Sequence, residues 1–188
     1  MFLQLAINHP EALPRVVSST PAWVWGLLAA LVSLGLSQTL ARQMSLQRVT
    51  VTPVAMTVFS VYGIVSGFGK SPLFWPVLIV WLACWLLVVA TTTSRAEPAG
   101  TRWDTATGKL FVPGSWLPLV MILGIFLTKY IVGVELAMAP QQADDATFAL
   151  TVAALYGVFS GVFAARGLAL IKAIRRAPAA ALAQATTA

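Results

Sequence analysis

Charged side chains are scarce in this chain. Its 188 residues include 12 Lys or Arg and 6 Asp or Glu, so 10% are charged while 59% are hydrophobic. A soluble domain carries roughly 25% charged residues, and a water-soluble fold of this size would lack the polar surface to cover itself. A single cysteine, Cys84, excludes a disulfide framework and any CxxC redox or metal pair. The single histidine, His9, lies outside every long apolar stretch, which excludes two-histidine haem ligation in a membrane. Paired carboxylates, a Ser/His/Asp set, HExxH and Gly-rich phosphate loops are missing from the apolar stretches. No catalytic residue, cofactor or metal site is therefore expected, and the reading is of a protein that is not an enzyme.

What the chain has instead is length without charge. From Arg15 onward, five windows carry no charged residue: 16–41, 49–69, 71–94, 110–128 and 146–165, holding 26, 21, 24, 19 and 20 residues. About 20 apolar residues in a helix cross ~30 Å of hydrocarbon. Mean hydropathy is +0.84. The expected fold is an all-α integral membrane protein with five transmembrane helices, at about 21–41, 50–69, 72–92, 115–137 and 146–170. Residues 1–20 read as an interfacial segment, 93–114 as a cytoplasmic loop and 177–188 as a flexible tail. The net charge of +6 could suggest nucleic acid. With no aromatic-interleaved basic stripe, however, it points to anionic lipid headgroups.

The basic residues also orient the chain. Five alternating spans put Arg42, Arg48, Arg95, Arg102, Lys109, Arg166, Lys172, Arg175 and Arg176 on one side, and Arg15 and Lys70 on the other. The positive-inside rule then predicts N-out and C-in. The first window is expected to be retained as a helix, because a poorly basic n-region precedes it and no A-x-A site follows. Pro53 is expected in an opening turn of the second span, and Gly69–Pro72 as a tight turn into the third. Arg102–Trp103 and Lys109–Val112 have the look of hairpin arms around a turn, leaning on the helix ends. Asp144 or Asp145 can cap the fifth span.

Two segments repeat. Tyr62-Gly63-Ile64-Val65-Ser66-Gly67 matches Tyr156-Gly157-Val158-Phe159-Ser160-Gly161 as Y-G-x-x-S-G. Leu34-Gly35-Leu36 with Thr39 matches Leu123-Gly124-Ile125 with Thr128. One helix separates the pairs, so helices 1–2 and 4–5 would form an inverted repeat, an arrangement that secondary transporters use to place a midplane site. Gly63/Gly67 and Gly157/Gly161 are also GxxxG pairs, expected to pack the second span against the fifth.

Lys129 is the one basic residue inside a span. It lies 13 residues past Trp116, ~20 Å into the helix at ~1.5 Å per residue. A charge at that depth is a candidate site, although its long stem can snorkel outward. Glu135 is expected at the interface, Arg166 as a headgroup anchor and Cys84 as a small apolar filler. The candidate polar site comprises Lys129, Tyr62, Ser66, Tyr156 and Ser160.

The stretches TPAWVWGLLAAL with GLSQ (20–38), VYGIVSGFG (61–69), FVPGSWLPLVMILGIFLTKY (111–130) and ALYGVFSGVFAARGL (154–168) resemble an uncharacterised family of small proteobacterial inner-membrane proteins, a domain of unknown function. The resemblance implies a multi-pass protein of the bacterial cytoplasmic membrane and supplies no activity or ligand. The expected function is that of a non-enzymatic scaffold, assembly or lipid-interacting protein. Its partners would be membrane lipids and a second copy or another membrane protein, with no nucleic acid. The alternative is a small inverted-repeat transporter or channel-like subunit with a midplane site.

Overall fold

The computed structural model describes residues 18–95, 99–104 and 107–186, with side chains as far as 176. Most of the expected interfacial segment (1–20) lies outside the described residues. The charge-free windows become helices in the order α1 (Ala22–Ser37), α2 (Leu46–Phe68), α3 (Phe74–Thr92), α4 (Leu117–Met138) and α5 (Ala146–Thr186). Three short strands interrupt them: β1 (Arg42–Ser45), β2 (Arg102–Asp104) and β3 (Lys109–Val112).

Four helices are long and apolar enough to cross a membrane: α2, α3, α4 and the Ala146–Arg176 part of α5. The first window yields only the 16 residues of α1, ~24 Å at 1.5 Å per residue, shorter than the hydrocarbon core. Large side chains such as Trp75, Ile79, Val58, Val120 and Leu87 stand exposed along these helices. Apolar exposure on that scale belongs against lipid rather than water. By length, composition and surface, the chain is a helical membrane protein.

α5 is the central element. Half of its apolar window is buried, against 11–17% for the other three. It packs most extensively on α3 and next on α2, whereas α1 packs chiefly on α4. The main core lies on this axis, with Ile64, Phe68, Val77, Trp81, Val152, Ala153 and Tyr156 buried together. At the start of α5, Asp145 Oδ1 accepts the Phe148 amide at 2.7 Å, the expected cap. Nearby, Ser71 in the α2–α3 turn donates to the Ala143 carbonyl at 2.9 Å. The backbone of α5 remains helical to Thr186, where the sequence suggests a loose tail.

The hairpin forms as expected, Trp103 opposite Leu110 and Asp104 opposite Lys109. The linker between the first two spans adds a strand the pattern did not announce. β1 pairs antiparallel with β3, Met44 opposite Leu110, giving the order β1-β3-β2. Two strands alone are marginal in water. The third strand and a floor of Val49, Leu170, Ile171 and Ile174 bury Met44, Leu110 and Val112. Because β1 runs directly into α2, that helix starts at Leu46, and Pro53 falls inside it rather than in an opening turn. Gly114 lets the β3–α4 junction press on the end of α1. A Cβ there would strike the Thr39 carbonyl, and the Ser115 amide donates to the Gln38 carbonyl at 3.1 Å.

Candidate functional site

The repeated Y-G-x-x-S-G segments sit in unlike surroundings. On α2 the buried stripe is Ser60, Ile64 and Phe68, spaced i, i+4, i+8. Tyr62 and Ser66 lie two residues off that stripe, about 200° around the helix. Tyr62 is 66% exposed, and Ser66 is exposed and donates only to the Gly63 carbonyl of its own helix. They do not join the other candidate residues. On central α5 the same motif is buried, Tyr156 and Ser160 included.

The glycines divide in the same way. Gly157 and Gly161 face α3, not α2: a Cβ on Gly157 would come 2.5 Å from the Trp81 carbonyl, and one on Gly161 3.1 Å from that of Trp85. Gly67 has only ordinary contact with Leu136 at 3.5 Å. Gly63 is the one that builds a site. A side chain there would collide with Lys129 Nζ and approach the Tyr156 ring to 2.8 Å.

Lys129 thus turns inward rather than snorkelling. Its amine lies 4.4 Å from the Phe59 ring centroid and 4.6 Å from that of Tyr156. The space comes from Gly63, and aromatic faces attract an ammonium held over them. Among the described residues no carboxylate pairs with Lys129. Glu135 is buried on the same helix, only 5% exposed. A small cavity of about 20 Å³ beside the amine, edged by Ser60, Tyr156 and Ser160, has room for a water-sized guest.

The serines knit the bundle rather than line a path. Trp81 Nε1 donates to Ser60 Oγ at 2.9 Å, and Ser60 donates in turn to the Tyr156 carbonyl at 3.2 Å. Ser160 donates to that same carbonyl at 2.6 Å. This link across α3, α2 and α5 was not read from the sequence. Ser60 shares an i, i+4 stripe with Ile64 and Phe68, but Tyr62 and Ser66 share one with Val58, so spacing alone does not mark the buried face.

The same lysine borders a much larger space. Because α1 holds to α4 while α2 holds to α5, a groove of about 580 Å³ opens between α1, α2 and α4. Leu27, Leu31, Met56, Ile125 and Phe126 supply apolar walls, and among the described residues Lys129 is the only charged one lining it. Near the α1 start, where Pro21 and Trp23 edge the groove, the hydroxyls of Thr20 and Tyr130 meet at 2.6 Å. The Tyr130 ring stacks on Phe126 with centroids 6.3 Å apart. The groove falls within the range of small-molecule sites, about 300–1,000 Å³, and has their pattern of apolar walls with few polar groups.

Long, lipid-facing apolar helices around an apolar groove define a helical membrane protein. The chain belongs to the family of unknown function DUF6622, whose model matches residues 1–180. No curated protein and no solved structure matches it.

Proposed function

We propose that this chain is a non-enzymatic, lipid-interacting protein of the bacterial cytoplasmic membrane that holds an anionic single-chain amphiphile in the α1/α2/α4 groove. The carrying observation is Lys129: one amine, turned inward, on the wall of an otherwise apolar groove of about 580 Å³. Apolar walls suit an acyl chain. A carboxylate or similar anion beside Lys129 offsets the cost of holding an ammonium in a low-dielectric surrounding. Phe59 and Tyr156 fix the amine so that little side-chain freedom is lost on binding.

In this reading α1 is a fifth, thinner span that forms the outer wall of the groove. The basic residues of the sheet end face the cytoplasm, N-out and C-in. The Y-G-x-x-S-G pair is a remnant of an inverted repeat whose halves have diverged, one toward lipid and one into the core. A polar-solute transporter is less well supported, because such a path needs polar lining and this groove has almost none.

The test is retention. Protein purified in a mild detergent is examined by native mass spectrometry, wild type beside Lys129→Met, which keeps an unbranched side chain one atom shorter and removes the charge. Wild type is expected to carry a bound anionic amphiphile and the variant to lose it. Equal occupancy in both would overturn the proposal. So would a solute flux in liposomes that depends on Lys129.

A further inference from the structure

A second cavity, separate from the groove, lies at the sheet end of the bundle. It measures about 300 Å³, and three arginines from three different elements line it: Arg42 of β1, Arg48 of α2 and Arg166 of α5. Arg42 and Arg166 are half-buried, and Arg48 is exposed at the rim. Positive residues at a membrane surface usually spread outward toward headgroups. These three converge instead.

Their arrangement is held from several directions. Arg42 Nη2 donates to Gln38 Oε1 at 2.9 Å, which fixes one edge of the guanidinium against the end of α1. Arg166 is placed where α5 packs tightly on α2: beside it, a Cβ on Gly167 would come 2.6 Å from Pro53 Cγ. The floor of the neighbouring sheet, through Val49 and Leu170, borders the same space. Ser37 and Thr52 on its wall each donate to a carbonyl of their own helix.

Among the described residues, none of the three arginines forms an ion pair with a carboxylate. Burial, and after it the like charge of Arg48, holds the Arg42 guanidinium below the ordinary arginine range. Arg42 and Arg166 line the same space. Like charges gathered around an open, partly buried space favour an anion there. The guanidinium fork matches phosphate oxygens two at a time.

We propose that Arg42, Arg48 and Arg166 form a phosphate-binding site at the sheet end of the helix bundle, one that takes a phosphate group from a lipid headgroup or a soluble phosphate. It is independent of the Lys129 groove and stands or falls without it. Phosphate binding would tie β1, α2 and α5 together and so stabilise the junction between the sheet and the bundle.

The test is thermal unfolding of the full chain in an uncharged maltoside detergent, followed by tryptophan fluorescence. One arm adds inorganic phosphate against chloride at equal ionic strength. The other adds dioleoyl phosphatidylglycerol against dioleoylglycerol, which has the same chains and no phosphate. The wild-type midpoint is expected to rise by several degrees in at least one arm. A rise with phosphatidylglycerol alone identifies a lipid headgroup, and a rise with inorganic phosphate identifies a soluble source. Arg166→Gln and Arg48→Gln should each abolish most of the rise; Arg48, exposed at the rim, can be replaced without disturbing the core. Lys172→Gln and Arg175→Gln, exposed cations outside the cavity, should leave it intact. No rise in either arm would overturn the proposal, as would a rise that the cavity and control variants reduce equally.

Discussion

Gly63 and Gly67 occupy equivalent places in a GxxxG pair, yet the structure predicts opposite results on adding one methyl group to each. At Gly67 the new Cβ meets Leu136 at 3.5 Å, an ordinary contact. Gly67→Ala also gains helix propensity of up to about 1 kcal/mol, so the variant should be as stable as wild type or slightly more so. At Gly63 the methyl group displaces Lys129 Nζ and comes 2.8 Å from the buried Tyr156 ring. Overpacking of this kind costs about 1–3 kcal/mol. Moving the amine off the Phe59 and Tyr156 faces forfeits a further ~0.5–2 kcal/mol. With the propensity gain common to both variants, Gly63→Ala should lie about 1.5–5 kcal/mol below Gly67→Ala. The assay is reversible unfolding in mixed micelles by SDS titration, read by tryptophan fluorescence. Combining Gly63→Ala with Lys129→Ala should recover part of the loss, because the lysine is one of the two obstacles. Equal stability of the two glycine variants would refute the inward position of Lys129.

Three other expectations concern the frame around the site. Ser60→Ala removes the acceptor of the buried Trp81 indole and should cost about 1–3 kcal/mol; adding Trp81→Phe should cost less than the sum of the two single changes in a double-mutant cycle by the same SDS titration. Leu110, fully buried in the sheet, should lose about 2–5 kcal/mol as Leu110→Ala, with hydrogen exchange rising first in β1 and β3. Gly157→Ala meets the backbone carbonyl of Trp81 rather than a yielding side chain, so it should destabilise the α3–α5 seam by about 1–3 kcal/mol; a variant as stable as wild type in the same titration would place that seam elsewhere.

The spans were legible because charge and hydropathy act residue by residue. An interval without charge becomes a helix wherever α5 or lipid covers it, and Asp145 and the β2–β3 turn declare themselves through local chemistry. What could not be read was which face of each helix turns inward. In a soluble helix, polar residues mark the outside. Here Tyr62 faces outward and Ser60 inward, and both are amphipathic residues in an apolar run. The repeat therefore suggested a symmetry that packing does not preserve, since α5 is central and α2 is peripheral. β1 was hidden for a related reason: Arg42–Ser45 has little alternation of its own and becomes a strand only because β3 offers a free edge. The inward turn of Lys129 required Gly63 and Phe59 on another helix, a pairing across 66 and 70 residues that no local pattern encodes.

The most direct measurement is photolabelling of the full chain in membranes with a fatty acid carrying a diazirine on its chain, mapped by peptide mass spectrometry. The lipid-binding account predicts labels concentrated on residues 22–31 of α1 and 122–137 of α4, and strongly reduced in Lys129→Met. Labels spread evenly over the exposed faces of α2 and α3, around Val58 and Ile79, and unchanged by that substitution would contradict it.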